Sequence, residues 1–156
     1  MNDNSDILIA LALAEDIGDG DVTSLYFVPE DRMARAFVAV RKEGVVSGVG
    51  LAARVFSKVD PSLEVEILIP DGSRVSEGAL LIRVEGKARS ILTAERTVLN
   101  FLQRLSGVAT LTAKYVNLVK GTSASILDTR KTTPGYRLLE KKAVVHAAAV
   151  DDRLLF

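Results

Sequence analysis

The chain has 156 residues, 48% hydrophobic and 26% charged, ordinary values for a soluble globular protein with room for one substantial core. Twenty basic residues balance twenty acidic ones, so no global field draws the chain to nucleic acid or to an anionic membrane. Cysteine is absent, which excludes a disulfide framework, a thiolate nucleophile and a zinc–thiolate site, and accords with a reducing cytosol. The start, Met1-Asn2-Asp3-Asn4, lacks the basic-then-apolar pattern of a signal peptide, and no apolar run approaches the ~20 residues of a membrane helix. The expected localisation is cytoplasmic.

Asn4 or Ser5 can cap a first helix whose apolar positions Ile7, Ala10, Leu11 and Ala14 recur at helical spacing, with Gly18 as its stop. Residues 19–24 read as an acidic, Gly-rich loop. A calcium reading fails there. Asp19, Asp21, Thr23 and Glu30 fall at the first, third, fifth and twelfth places of an EF-hand loop, but Ser24 stands where the sharp turn requires Gly. Turn and cap chemistry by the Asp and Thr side chains is the better account.

Residues 33–41 alternate as a strand, residues 42–44 turn, and residues 51–59 read as a short helix stopped near Pro61. Residues 63–69 alternate cleanly as a half-buried strand, Asp71-Gly72 turns the chain, and residues 74–86 supply short strands broken at Gly78. Short strands with Gly turns between helices predict an antiparallel sheet with helical cover. Residues 88–120 contain no Pro, and Ile91, Glu95, Val98, Leu102 and Leu105 share one face. That predicts a long helix, or two interrupted at Gly107, ended by Gly121. A strand at Ile126-Leu127 and a helix over residues 136–145 follow, so a domain boundary is expected within residues 106–122.

The densest chemistry lies in Asp128-Thr129-Arg130-Lys131-Thr132-Thr133-Pro134-Gly135. In α/β proteins ligands bind beyond the carboxyl ends of strands, and two adjacent cations there suit an anionic ligand. Arg offers a planar fork for carboxylates, and Lys a compact charge for phosphate or carboxylate oxygens. Thr132 and Thr133 are candidates for phosphate contact or for capping the next helix. Arg130 could instead pair with Asp128, and Arg96 could pair with Glu95 or Asn100.

Three stretches carry a family resemblance. They are residues 13–24 (LAEDIGDGDVTS), residues 94–110 (AERTVLNFLQRLSGVAT) and residues 126–141 (ILDTRKTTPGYRLLEK). Together with their spacing, they make the chain resemble the quinolinate phosphoribosyltransferase family, also called carboxylating nicotinate-nucleotide pyrophosphorylase. The resemblance implies an α/β (α+β) chain: an N-terminal α/β sandwich with an antiparallel sheet, then a long helix and the first βα unit of an incomplete α/β barrel. The division expected is residues 1–110 for sandwich and connecting helix, and residues 111–156 for the start of the barrel.

The implied reaction transfers a phosphoribosyl group from phosphoribosyl pyrophosphate to the ring nitrogen of quinolinate. It yields nicotinate mononucleotide, CO2 and pyrophosphate in NAD biosynthesis. Mg2+ is implied as the helper of the departing pyrophosphate, with no ligands for it identified in this chain. By resemblance Arg130 and Lys131 match the substrate-binding Arg-Lys pair, and Arg153 matches a further quinolinate-binding Arg. Arg96 matches an Arg that reaches the neighbouring subunit's site, which implies a homodimer.

The chain departs from the family pattern after the last helix, where the family has Gly-Gly-Gly, one variable residue and Asn-His-Arg. Here stand Ala147-Ala148-Ala149, Val150 and Asp151-Asp152-Arg153. Any of those Ala residues held at positive φ would carry about 1–2 kcal/mol of strain. Alternatively the helix runs on through them, since Ala favours helix over Gly by about 1 kcal/mol. Asp152 replaces a donor with a carboxylate in a site for anions, and it could draw Arg153 away from substrate. His146 lies one turn too early to replace the family's His and reads as structural.

The resemblance also implies that the barrel stops short at Phe156, so turnover by this chain alone is not expected. Three other readings stand beside it: a non-catalytic dimerising protein, the sister group associated with molybdenum transport, and a biotinyl- or lipoyl-type carrier. The carrier is suggested by the turns at Asp71-Gly72 and Glu85-Gly86, but Lys87 lacks the exposed hairpin tip a carrier needs.

Overall fold

The computed structural model describes residues 5–18, 20 and 22–148. Its organising strand is β5 (Leu80–Lys87), which pairs antiparallel with β1 (Met33–Ala39) on one side and β3 (Glu64–Ile67) on the other. Ile82, Val84 and Gly86 alternate inward along β5 and are buried. Leu81 is buried as well because the register slips between Val38 and Ala39, leaving Leu81 as the extra residue of a bulge. The opposite face is open to water and carries cross-strand ion pairs, with Arg35 Nε 2.6 Å from Glu85 and Arg83 Nη2 2.8 Å from Glu66. A second small ladder joins β2 (Gly44–Val45) to β4 (Arg74–Val75).

Two helices cover the inner face. One is α3 (Val49–Val59), whose Val49, Ala52, Val55 and Phe56 are buried. The amides of its N-cap and first residue are satisfied from a distance, since Gly48 N and Val49 N donate to Asp71 Oδ1 at 2.6 and 2.9 Å. The other is α4 (Ala88–Val119), 32 residues without interruption. Gly107 does not break it, because it faces solvent with nothing near the position of a side chain. The buried stripe of α4 contains Ile91, Ala94, Val98, Phe101, Leu102, Leu105 and Ala109. The expected members Ile91, Val98, Leu102 and Leu105 are there, whereas Glu95 points to water.

Three sequence expectations are corrected. The first helix, α1 (Ser5–Ile17), buries Ile9 and Leu13, while Ile7 and Leu11 of the expected face are exposed. Residues 7–13 are apolar all round, so periodicity could not choose the inward side. The loop expected over residues 19–24 contains the start of a helix, α2 (Val22–Phe27); Asp19 and Asp21 lie outside the described residues. The strand expected at Ile126-Leu127 is reduced to a bridge at Leu127, since a βα unit needs neighbouring strands to form a ladder. The mixed α/β architecture, antiparallel sheet followed by long helix, is as expected.

The chain then forms α5 (Arg137–His146), which packs on α4. Its C-terminus meets the sandwich: His146 Nδ1 is 2.9 Å from Ser47 Oγ, and the His146 carbonyl faces the Asp71-Gly72 turn. The lone histidine is therefore a partnered group at a packing junction.

Candidate anion-binding site

Gly121 at φ +87° ends the long helix, and the chain crosses to Leu127 before entering the cation loop, residues 128–133. Asp128, at the loop's start, is bonded to Lys141 of α5 at 2.8 Å. The expected alternative pairing of Asp128 with Arg130 is not the one formed. Arg130 and Lys131 are exposed in the middle of the loop. A small turn shapes this segment, the Lys131 amide donating to Thr129 Oγ1 at 3.1 Å.

The loop's far end is tied to the same helix. Thr133 donates its hydroxyl to Glu140 Oε1 at 2.9 Å and its amide to Glu140 Oε2 at 3.2 Å. Arg104 of α4 completes the cluster, donating to Glu140 Oε1 from Nη2 at 2.6 Å and from Nε at 3.1 Å, and to Thr133 Oγ1 at 2.9 Å. Thr133 thus bonds to a residue inside α5; the N-cap of that helix, Tyr136, makes no side-chain cap bond. Thr132 Oγ1 accepts a long hydrogen bond from Arg137 Nε at 3.5 Å. The Tyr136 ring packs 6.0 Å from the Phe101 ring, fixing the entry of α5 against α4.

Glu140 is only 7% exposed. Burial alone would raise its pKa, but the hydrogen bonds from Arg104 and Thr133, with the charge of Arg104, outweigh that and hold it below the usual value. Burial likewise pushes the Tyr136 phenol up, despite the pull of Arg104. Glu140, Lys141 and Arg104 escaped assignment from sequence. The available signal was Glu140 as an acid in the first turn of α5, close in sequence to the loop that precedes the helix.

Arg96 sits on α4 two turns before Arg104, with its side chain 74% exposed and Nη1 2.7 Å from Asp16 of α1. Asp16 is a partner of Arg96 among the described residues, in place of the expected Glu95 or Asn100. A groove of about 380 Å³ runs beside this pair, lined by Leu8, Ala12, Asp16, Thr97, Phe101 and Tyr136. Arg153, with Asp151 and Asp152, lies outside the described residues.

Comparison with known proteins places the chain in a family. The quinolinate phosphoribosyl transferase N-terminal domain matches residues 21–106 and the corresponding C-terminal domain matches residues 108–155. The chain belongs to the quinolinate phosphoribosyl transferase family. It is 46% identical over 148 residues to quinolinate phosphoribosyltransferase (decarboxylating) 1b of Nicotiana tabacum, an alignment covering 94% of this chain and 42% of the relative. The structure of NadC from Streptococcus pyogenes superposes with a TM-score of 0.91 at 34% identity, over 97% of this chain and 55% of that one. The nicotinate-nucleotide pyrophosphorylase of Francisella tularensis gives 0.89 at 40% identity, over 96% and 55%. The chain therefore spans about two fifths of the plant relative, and about half of each bacterial structure.

As a quinolinate phosphoribosyl transferase family chain, it can also be tested for the implied Mg2+. Among the described residues no three His, Asp or Glu side chains converge, and the nearest carboxylates, Asp128 and Glu140, are engaged by Lys141 and Arg104. These residues do not fit a metal centre, so no step is routed through one. No helix among them is long and apolar enough to cross a membrane. Where the family pattern has its Gly run, α5 stops at His146, and Ala148 adopts φ +64°, the only non-Gly residue at positive φ among those described. The helix does not continue through the alanines, and Ala149 lies outside the described residues.

Proposed function

We propose that this chain supplies the first cationic wall of a quinolinate phosphoribosyl transfer site. In this reading Arg130 and Lys131 hold the carboxylates of quinolinate and the phosphate oxygens of phosphoribosyl pyrophosphate, Arg153 adds a carboxylate contact, and Arg96 reaches in from a second copy in a homodimer. Of the two hydroxyls Thr132 takes the phosphate contact, because Thr133 already donates to Glu140. The pyridine nitrogen bonds to the anomeric carbon of ribose as the bond to pyrophosphate breaks. The ring then loses its adjacent carboxylate as CO2 and takes up a proton at that carbon. These residues contribute by positioning and by charge stabilisation. Mg2+ would enter with ligands beyond those described, and the setting is cytoplasmic.

The observation that carries the reading is the exposed Arg130–Lys131 pair on a family loop anchored at both ends. Calorimetric titration of the chain with quinolinate and with pyrophosphate tests it. Binding is expected, and Arg130→Ala or Lys131→Ala should weaken it at least about tenfold, or about 1.4 kcal/mol. Equal affinity in wild type and both variants rejects the site. The chain alone should form no nicotinate mononucleotide above a no-protein control; magnesium-dependent product would show that these residues suffice for turnover.

A non-catalytic dimerising role is the second reading. It is favoured by exposed Leu111, Tyr115 and Leu118, which form one stripe on the outer half of α4. Light scattering showing only monomer at micromolar concentration counts against it.

A further inference from the structure

The cation loop is held at its two ends by consecutive residues of one helix. Lys141 takes Asp128 at the loop's start and Glu140 takes Thr133 at its end, while nothing in α5 is bonded to Arg130 or Lys131 between them. We propose that Glu140 and Lys141 are positioning residues that set the geometry of the Arg130–Lys131 pair, with Arg104 fixing that loop relative to the helix that bears Arg96. The proposal rests on the reading above, in which the loop binds anions.

Three features support it. The first is saturation. Glu140 accepts from Arg104 Nε, Arg104 Nη2, the Thr133 hydroxyl and the Thr133 amide, so both its oxygens are occupied and it is not left to serve as a base.

The second is charge. A lone carboxylate beside the loop would cancel part of the field its cations present to an anion. Here each tie-point carboxylate faces a cation of its own, Asp128 the Lys141 ammonium and Glu140 the Arg104 guanidinium. Neither carboxylate is bonded to Arg130 or Lys131, so the two loop cations face an incoming ligand without a carboxylate clasped to them.

The third is rigidity. Arg96 and Arg104 stand eight residues apart on an unbroken helix, about 12 Å along its axis. Arg104 bonds the loop directly, so α4 acts as a ruler between the cation projecting outward and the cation pair. Prepaid ordering of a loop appears as affinity when ligand binds.

The experiment follows two quantities in the wild-type chain, Glu140→Gln, Thr133→Val and Thr133→Ser. One is amide hydrogen exchange across residues 129–133, with β5 as the internal control; the other is quinolinate affinity by calorimetry. Glu140→Gln and Thr133→Val should accelerate exchange in the loop at least about tenfold, leave β5 unchanged, and weaken quinolinate binding by a similar factor. Thr133→Ser, which keeps the hydroxyl, should restore both.

Unchanged loop exchange in Glu140→Gln and Thr133→Val overturns the positioning role. So does a loosened loop that binds quinolinate as tightly as wild type. Uniform acceleration that includes β5 assigns the cluster to global stability and likewise overturns it. If wild type itself binds no quinolinate, the anion reading fails, and the exchange arm alone decides whether Glu140 and Thr133 hold the loop.

Discussion

The Lys141 ammonium lies 2.8 Å from Asp128 Oδ1 and 2.7 Å from Oδ2, with the two side chains only 6% and 1% exposed. Only Oδ1 has hydrogen-bond geometry to that ammonium. A pair this enclosed is costly to break on one side, because the surviving Lys141 charge stays buried without its Asp128 countercharge. Asp128→Ala should therefore destabilise the chain by about 3–5 kcal/mol, while the double replacement Asp128→Leu with Lys141→Met should recover most of that loss. Urea unfolding of both variants measures the difference. A single mutant as stable as wild type would show that the ammonium reaches water.

Ala148 offers a change in the other direction. Its φ of +64° places a Cβ in the left-handed region, at the position after a helix C-cap where Gly is favoured. Ala148→Gly relieves steric strain of about 1–2 kcal/mol and gives back part of that through a more flexible unfolded chain. The expected net gain is about 1 kcal/mol, read as a higher urea midpoint at unchanged slope. A lower midpoint would mean that Ala148 sits comfortably where it is.

The sheet and the long helix were legible because their signals are local. Alternation along residues 33–41, the Gly turns between the short strands and an apolar stripe from Ile91 to Leu105 are each set by neighbours in sequence. The side of α1 that is buried was not legible, since Ile7, Leu8, Ile9, Leu11 and Leu13 leave no polar face to orient it. In the candidate site the cations were evident as residue types at the end of an apolar pair. Their supports were not, because the Asp128–Lys141 and Thr133–Glu140 bonds depend on how α5 folds back against the loop. Composition around Arg130 suggested Asp128 as its partner, and the tertiary fold gave that carboxylate to Lys141.

Asp60 predicts an acid response. The Ser62 and Ser90 hydroxyls and the Ser62 amide donate to its carboxylate at 2.6, 2.7 and 2.9 Å, and draw its pKa from an ordinary 3.8 to about 2. A carboxylate lowered on folding contributes stability above its unfolded value and loses it as pH falls through the folded one. Ser62→Ala should thus cost stability at neutral pH, with the difference from wild type shrinking as pH falls from about 4 to about 2. Glu140, also held low, adds to the same acid loss in both proteins. A difference that persists undiminished toward pH 2 would remove Asp60 as the cause.

Gly86 marks the tightest point of the sheet. At φ +147° it lies opposite Ala34, and a Cβ there would stand 2.5 Å from Leu63 Cδ2 and 3.5 Å from Leu63 Cα. Leu63 is itself buried, so its side chain has little room to retreat. Gly86→Ala should combine backbone strain with overpacking and destabilise by about 2–4 kcal/mol. The companion change Leu63→Ala in the same background should rescue part of it. Strict additivity of the two losses in a double-mutant cycle would place the strain in the backbone alone.

Thr97 is 2% exposed on α4, at the floor of the groove beside Arg96, and its hydroxyl has no hydrogen-bond partner among the described residues. A buried unpaired hydroxyl forfeits its hydration without compensation, at about 1–3 kcal/mol. Val has nearly the same shape, so Thr97→Val removes the penalty and keeps the volume that Thr97 fills beside the groove. The chain should become more stable by about 1 kcal/mol or more, with quinolinate affinity unchanged because Arg96 keeps its place. Loss of stability would instead show that the hydroxyl is hydrated in solution. Loss of affinity at unchanged stability would make Thr97 part of the ligand's surroundings, contacting it from the groove.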